Sequence, residues 1–235
     1  MAGSRLVDCQ NTQRDQKLPP PEIEEPYDLT AKLVKLPEPD LLLDKQVNFL
    51  ELIELRTTVR QFHQTPLTLS ELSYLLWCTQ GVKMTMPGST SIRTVPSAGA
   101  RHAFETYLYI QKVEGIEPGL YRFLALEHAL LPVELSDSSK EQLLASFKAR
   151  PMVENSAVTF MWSAVLARME YAFGQRAYRY IHIDAGHVCQ NLYLAGQTAR
   201  IGVCAIGAFD DEKLNASLGF TLDKQFVVYG AAIGK

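Results

Sequence analysis

The sequence predicts an α+β domain with a central, mostly antiparallel sheet flanked by helices, and three observations carry that expectation. Strand-like segments cluster between residues 106 and 135 and are followed by helix, strand, helix, strand. Residues 157–165 (AVTFMWSAV) are almost entirely apolar, the pattern of a strand buried on both faces. Ile181, Ala185, Val188, Leu192, Ala195 and Ala199 then recur in alternating steps of four and three, the core-facing stripe of one long helix.

Composition narrows the function classes. The 235 residues suffice for one substantial core, and 47% hydrophobic with 21% charged residues is an ordinary globular balance. A net charge of −3 argues against a nucleic-acid protein, which needs clustered Lys and Arg. The longest nearly apolar run, residues 157–167, is too short to span a bilayer, and the polar first residues lack the apolar core of a secretion signal. Cys9, Cys78, Cys189 and Cys204 show no CxxC or zinc-ligand spacing, so buried or idle thiols in a reducing compartment are expected. These bounds point to a soluble cytoplasmic protein.

In chain order, residues 1–35 read as an extended or poorly ordered N-terminal arm, and residues 36–235 as a single domain. Residues 47–56 form a helix with Phe49, Leu52, Ile53 and Leu55 supplying apolar bulk. A second helix runs over residues 70–81, with Ser70 as its cap and Gly81 as its stop. Residues 82–102, rich in Ser, Thr, Pro and Gly, read as a long loop. Strands follow at 106–113, 120–126 and 128–135, then an amphipathic helix over 138–150. After the buried strand come a short helix at 166–173 and the long helix, which Gly202 ends. Residues 203–206 are strand-like, Asp210 or Asp211 caps the next helix, and residues 225–235 form a last buried strand.

Three places hold polar groups that a core does not need. Arg56 and Arg60 are four apart with Thr57 and Thr58 between them, two guanidinium forks and two hydroxyls that suit a phosphate or sit as a solvated pair beside Glu51 and Glu54. Residues 94–101 (TVPSAGAR) combine a stiffening Pro96 with the small Ser97, Ala98, Gly99 and Ala100, a loop for close approach to a planar ligand or a surface turn. In the long helix, Asp184, His187 and Asn191 border the apolar stripe. Asp184 and His187, three apart with no third ligand nearby, do not make a metal site. Tyr171, Phe173, Tyr178 and Tyr180 are packing or the wall of an aromatic pocket, and no GxGxxG or Walker loop is present.

Taken together and in order, residues 56–62 (RTTVRQF), 70–81 (SELSYLLWCTQG), 93–110 (RTVPSAGARHAFETYLYI), 119–123 (GLYRF) and 178–211 resemble the FMN-dependent nitroreductase family. Within it they are most similar to the SagB-type dehydrogenase branch, which includes azoline oxidases, and the likeness extends from about residue 36 to 235. The resemblance implies a nitroreductase-like fold and a homodimer with FMN sites built across the interface. It places Arg56, Thr58 and Arg60, with Thr57 between them, at the flavin phosphate and pyrimidine edge. Pro96, Ser97, Ala98 and Gly99 would contact the ring from the partner subunit, and Asn191 would lie near the cofactor. Ile206, Gly207 and Ala208 would face the flavin's reactive nitrogen, and Lys235 would help hold the phosphate. Arg179 and Tyr180 stand where azoline oxidases carry a catalytic Lys-Tyr pair. Two departures are visible: Ala103 replaces a Pro, and Arg101 an apolar residue, an added cation able to change which substrate or dinucleotide is welcomed. The implied activity is hydride transfer through flavin, from NAD(P)H to a small nitro compound or quinone. Oxidation of azoline rings in a modified peptide is the alternative, and a flavin-binding scaffold without turnover is a third.

Overall fold

The computed structural model describes residues 11–39 and 47–235. Cys9 and residues 40–46 lie outside the described residues. The centre is a seven-stranded, wholly antiparallel sheet built from β1 (Val34–Lys35), β4 (Phe104–Ile110), β5 (Gly119–Leu124), β6 (Ala129–Val133), β7 (Val158–Val165), β8 (Gly202–Ile206) and β9 (Gln225–Gly234). Its spatial order is β1-β6-β5-β4-β7-β9-β8. β7 lies in the interior, so both its faces are covered: Phe160 and Trp162 join one apolar cluster and Met161 the other. This is the α+β architecture with helix-flanked antiparallel sheet that the sequence predicts.

Helices cover both faces. α2 (Leu69–Gln80) and α6 (Ala177–Thr198) pack together on one face, where Leu72, Leu75, Leu76, Ile181, Val188 and Leu192 meet the sheet. α5 (Leu166–Phe173) leads into α6 on this side. On the other face α3 (Asp137–Ser146), α4 (Arg150–Asn155) and α7 (Asp211–Ser217) bury Leu143, Phe147, Val153 and Leu214 against Tyr107, Met161 and Val227. α1 (Phe49–Leu55) lies against α6, yet none of its residues is buried, and Phe49 and Leu50 are 66% and 63% exposed.

Several local expectations are corrected. Thr68, not Ser70, caps α2, because Glu71 stands three residues after it and completes a reciprocal capping box. Residues 82–102 are not one loop: β2 (Val82–Met86) and β3 (Thr90–Arg93) form a hairpin around Gly88, which takes a φ of +79°. The helix expected over 138–150 ends at Ser146 and restarts as α4, since Phe147 leaves helical geometry and packs with Phe209. Gly202 does not end α6. Thr198 is its last residue, Arg200 turns the chain at a φ of +56°, and Gly202 opens β8. Asp210 caps α7 by accepting the Lys213 N–H.

The N-terminal arm is held to the body by buried arginines. Arg168, 2% exposed, donates to the Glu22 carbonyl and pairs at 2.6 Å with Glu105, itself 4% exposed. Arg93 donates to the Ile23 carbonyl, Arg122 to those of Glu25 and Pro26, and the Glu25 N–H to Glu105. Backbone carbonyls of an arm without ladder partners are thereby satisfied by charged donors.

Candidate functional site

α6 carries an anchor toward each end. Near its start the carboxylate of Asp184, 3% exposed, accepts the Ser97 hydroxyl at 2.6 Å and the Ala98 N–H at 3.2 Å. Ser97 Oγ in turn accepts the His102 N–H at 2.9 Å. The loop held in this way is conformationally costly: Gly99, Ala100 and His102 all have positive φ, of which only the first suits its residue type. The buried aspartate offsets that cost with two charge-assisted bonds. Burial raises the Asp184 pKa, while Ser97 and Ala98 act to lower it. Gly99 also lets Phe173 lie close, since a Cβ there would stand 3.1 Å from the ring.

Nine residues further along α6, about 14 Å up the helix, the Tyr193 hydroxyl accepts the Ala205 N–H at 2.9 Å and bonds Thr58 Oγ1 at 3.2 Å. The Arg56 guanidinium stacks over the Tyr193 ring, 5.4 Å from its centroid. The segment after α1 is fixed against the sheet by the Val59 N–H on the Val203 carbonyl and the His63 N–H on the Lys235 carbonyl. Gly202 and Gly234 make that approach possible: a Cβ on either would come within 2.8 Å of Val59 or Phe62. Arg56 and Thr58 are thus half-buried, while Thr57 and Arg60 face solvent. Thr57, Val59 and Tyr193 line a cavity of about 200 Å³.

The other expected residues divide. Ile206 is buried at the end of β8, and Gly207 and Ala208 beyond it are exposed. Asn191 ties helices together, donating its amide to the Cys78 carbonyl, on the wall of a cavity of about 720 Å³ shared with Tyr74, Trp77 and Thr94. Lys235 ion-pairs with Glu71 at 2.9 Å, the residue that completes the capping box of α2, which commits its ammonium there. Pro96 is exposed beside the Asp184 anchor. Arg179 is exposed, whereas Tyr180 packs against Phe173 with centroids 4.5 Å apart, and its hydroxyl accepts from Arg176. His187 stands 3.9 Å from Asp184 across one helical turn, and the Asp184 oxygens are occupied by the loop.

Two participants were not legible as such in the sequence. Tyr193 lies off the apolar stripe and gave no signal of its own. Asp184 was visible as a polar group beside the stripe, but its partners lie 86 and 87 residues away.

Residues 53–235 match the model of the nitroreductase family, and the chain belongs to that family. A candidate nitroreductase of Methanocaldococcus jannaschii is 32% identical over 163 residues, 69% of this chain and 80% of that protein. The trifolitoxin-processing protein TfxB of Rhizobium leguminosarum bv. trifolii is 28% identical over 130 residues, 54% of this chain but only 35% of its own length. Among solved structures, a candidate nitroreductase from Ralstonia eutropha superposes with a TM-score of 0.70 at 24% identity, covering 93% of this chain and 94% of that one. Another, from Desulfovibrio desulfuricans in complex with FMN, gives 0.55 at 14% identity over 80% and 87% of the two chains.

The residues present fit FMN as two half-sites. A phosphate needs fixed cations and hydroxyls, and Arg56, Thr58 and Arg60 offer them on one short segment. Among the described residues neither arginine has a carboxylate within ion-pair distance. The small-residue loop at Ser97–Gly99 is rigid and open, as a planar ring requires. Within one chain, however, the two sit by anchors about 14 Å apart along α6.

Proposed function

We propose that this FMN-dependent oxidoreductase works as a homodimer, passing hydride from NAD(P)H to a small nitro compound or quinone. The observation that carries the reading is the separation of the half-sites along α6, the arrangement expected if each FMN lies between the phosphate segment of one protomer and the loop of its partner. The exposed apolar face of α1 supports a second copy, since Phe49, Leu50, Ile53 and Leu55 would otherwise remain in water.

When bound, FMN supplies the two-electron chemistry, taking a hydride from the donor and giving it to the acceptor. The chain's residues do the rest. Arg56 and Arg60 would hold the phosphate and, at the pyrimidine edge, would offset the negative charge that gathers on reduction, raising the potential. Thr58 is oriented for the same task by Tyr193. Gly207 and Ala208 present exposed backbone at the end of β8, and Pro96 to Gly99 would line the ring.

A second reading is favoured by the match to the trifolitoxin-processing protein: a SagB-type dehydrogenase oxidising azoline rings in a modified peptide. Arg179 cannot serve as proton acceptor there because guanidinium stays charged. Tyr180 would have to do so alone, with its hydroxyl already bonded by Arg176.

The visible spectrum of the purified protein, followed anaerobically on adding NADH or NADPH, tests the proposal. A flavin spectrum that bleaches is expected. Flavin that stays oxidised transfers the case to the peptide dehydrogenase or the scaffold without turnover, and failure to hold FMN after reconstitution refutes the reading.

A further inference from the structure

Beside the Ser97–Gly99 loop lies a second feature that flavin binding does not explain. Arg14 of the N-terminal arm places its guanidinium 5.9 Å from the centroid of Phe173, and Arg101 lies 5.6 Å from that of Tyr171. The arm is fixed for this: the Arg14 N–H donates to the Tyr171 carbonyl at 2.9 Å, and the neighbouring Thr12 is buried. Arg101 is oriented from the loop itself, with Nε on the Gly99 carbonyl at 3.0 Å and Nη2 on Thr90 Oγ1 at 2.8 Å. Phe173 is the same ring that closes on Gly99, so both cations stand within one side chain of the loop.

Among the described residues no carboxylate comes within ion-pair distance of Arg14 or Arg101. Asp15, next in sequence to Arg14, turns its carboxylate into the arm, where it accepts the Thr12 N–H. Burial and the charge of Arg14 both act to lower the Arg101 pKa. Two like charges beside one loop, with only Asp15 acting on Arg14 from outside ion-pair distance, favour an oxyanion near them.

We infer that Arg14 and Arg101 form a seat for a phosphate group of the reduced dinucleotide donor. The inference rests on the flavin reading above, which supplies the choice of ligand: neutral nitro compounds and quinones carry no oxyanion, whereas the donor carries two phosphates or three. The seat lies beside the loop assigned to the ring, and the aromatic floor keeps the guanidinium planes in place without occupying all their donors.

The test is anaerobic stopped-flow reduction of the FMN-loaded protein by NADPH and by NADH, for wild type and Arg14→Ala. Arg14 is the cleaner position because it is exposed and its guanidinium lies over the Phe173 ring. The half-saturating donor concentration is expected to rise roughly fivefold, and the wild-type value to rise with ionic strength. A rise confined to NADPH assigns the seat to the 2′-phosphate, and an equal rise for both donors assigns it to the diphosphate. Arg101→Lys, which keeps the charge but not the fork, should weaken the donor less than Arg101→Ala. Unmoved half-saturation in Arg14→Ala, or an FMN-loaded wild type that neither donor reduces, overturns the seat. Loss of FMN in Arg14→Ala would also overturn the seat by placing Arg14 at the flavin, whereas a wild type that holds no FMN counts against the flavin reading; absorbance before mixing reports both.

Discussion

Glu24 gives the sharpest prediction about pH. Its carboxylate sits in the docked arm and accepts the N–H groups of Ala125 and Leu126, at 2.6 and 3.2 Å. Burial, followed by the nearby charge of Glu105, pushes its pKa from 4.5 up to about 7, against the opposing pull of those two N–H bonds. The folded chain therefore holds a proton here between pH 4.5 and about 7 that the unfolded chain releases. Stability from this group is full below 4.5, falls as pH rises across that window, and levels off above about 7. At roughly 1.4 kcal/mol for each pH interval, the whole effect is at most about 3 kcal/mol. For a chain of this size that is on the order of 6–12 °C in Tm.

Glu24→Gln removes the ionisation while keeping an oxygen for the same two N–H groups. Wild type and variant should melt together near pH 4.5 and separate progressively toward pH 8, with the variant the more stable. The difference between the two curves is the measurement, because the wild-type curve alone is a composite. Burial, Arg93 and Arg101 depress His102 to about 3, so its contribution to stability rises with pH between about 3 and 6.5, opposite in sign to that of Glu24. Taking the difference cancels His102. Melting curves that run parallel from pH 5 to pH 8 would refute the assignment of a strained carboxylate under the arm.

Three further predictions concern the site. Asp184→Ala removes the acceptor of the Ser97 hydroxyl and the Ala98 N–H, each costing about 1–3 kcal/mol when left unpaired, partly offset by no longer burying a carboxylate; a lower Tm and a shifted bound-flavin spectrum are expected, with partial rescue by Asp184→Asn, and an unchanged spectrum would show that the loop does not reach the ring. Arg56→Ala would delete the proposed charge-assisted phosphate contact, worth roughly 1.5–3 kcal/mol, so FMN should be lost on desalting, and flavin content equal to wild type removes Arg56 from the site. Ile53→Asp puts a charge on the exposed apolar face of α1 and should shift sedimentation toward monomer with release of FMN; a monomeric wild type would remove the basis for the composite site.

How far the sequence could be read follows from the range of each interaction. Patterns local to one element were legible: the stripe of α6, the doubly buried β7, the Asp210 cap and the Arg56-x-Thr58-x-Arg60 spacing all lie within a few turns or one strand. Errors arose where two local signals competed. Ser70 and Thr68 are both good caps, and only the glutamate three residues later decides for Thr68. The Pro87-Gly88 pair that marked a loop is the turn of a hairpin whose strands carry polar residues. Invisible were contacts between distant segments: Asp184 with Ser97, Tyr193 with Thr58, and Arg93, Arg122 and Arg168 with the arm carbonyls.

Those distant contacts decide how the site is divided. Asp184 and Tyr193 both project from α6, and a helix cannot change the distance between two of its residues without breaking its own ladder. Whatever fixes the loop at one and the phosphate segment at the other therefore fixes their separation. Both segments reach α6 from far along the chain, across 86 and 135 residues, so the helix and not chain proximity sets their spacing. In the proposed two-fold pair, the loop of one copy would face the phosphate segment of the other. The anchors on α6 thus fix the spacing of the two half-sites, and if each FMN lies between two protomers, as proposed, the oligomeric state and the flavin content should be lost together.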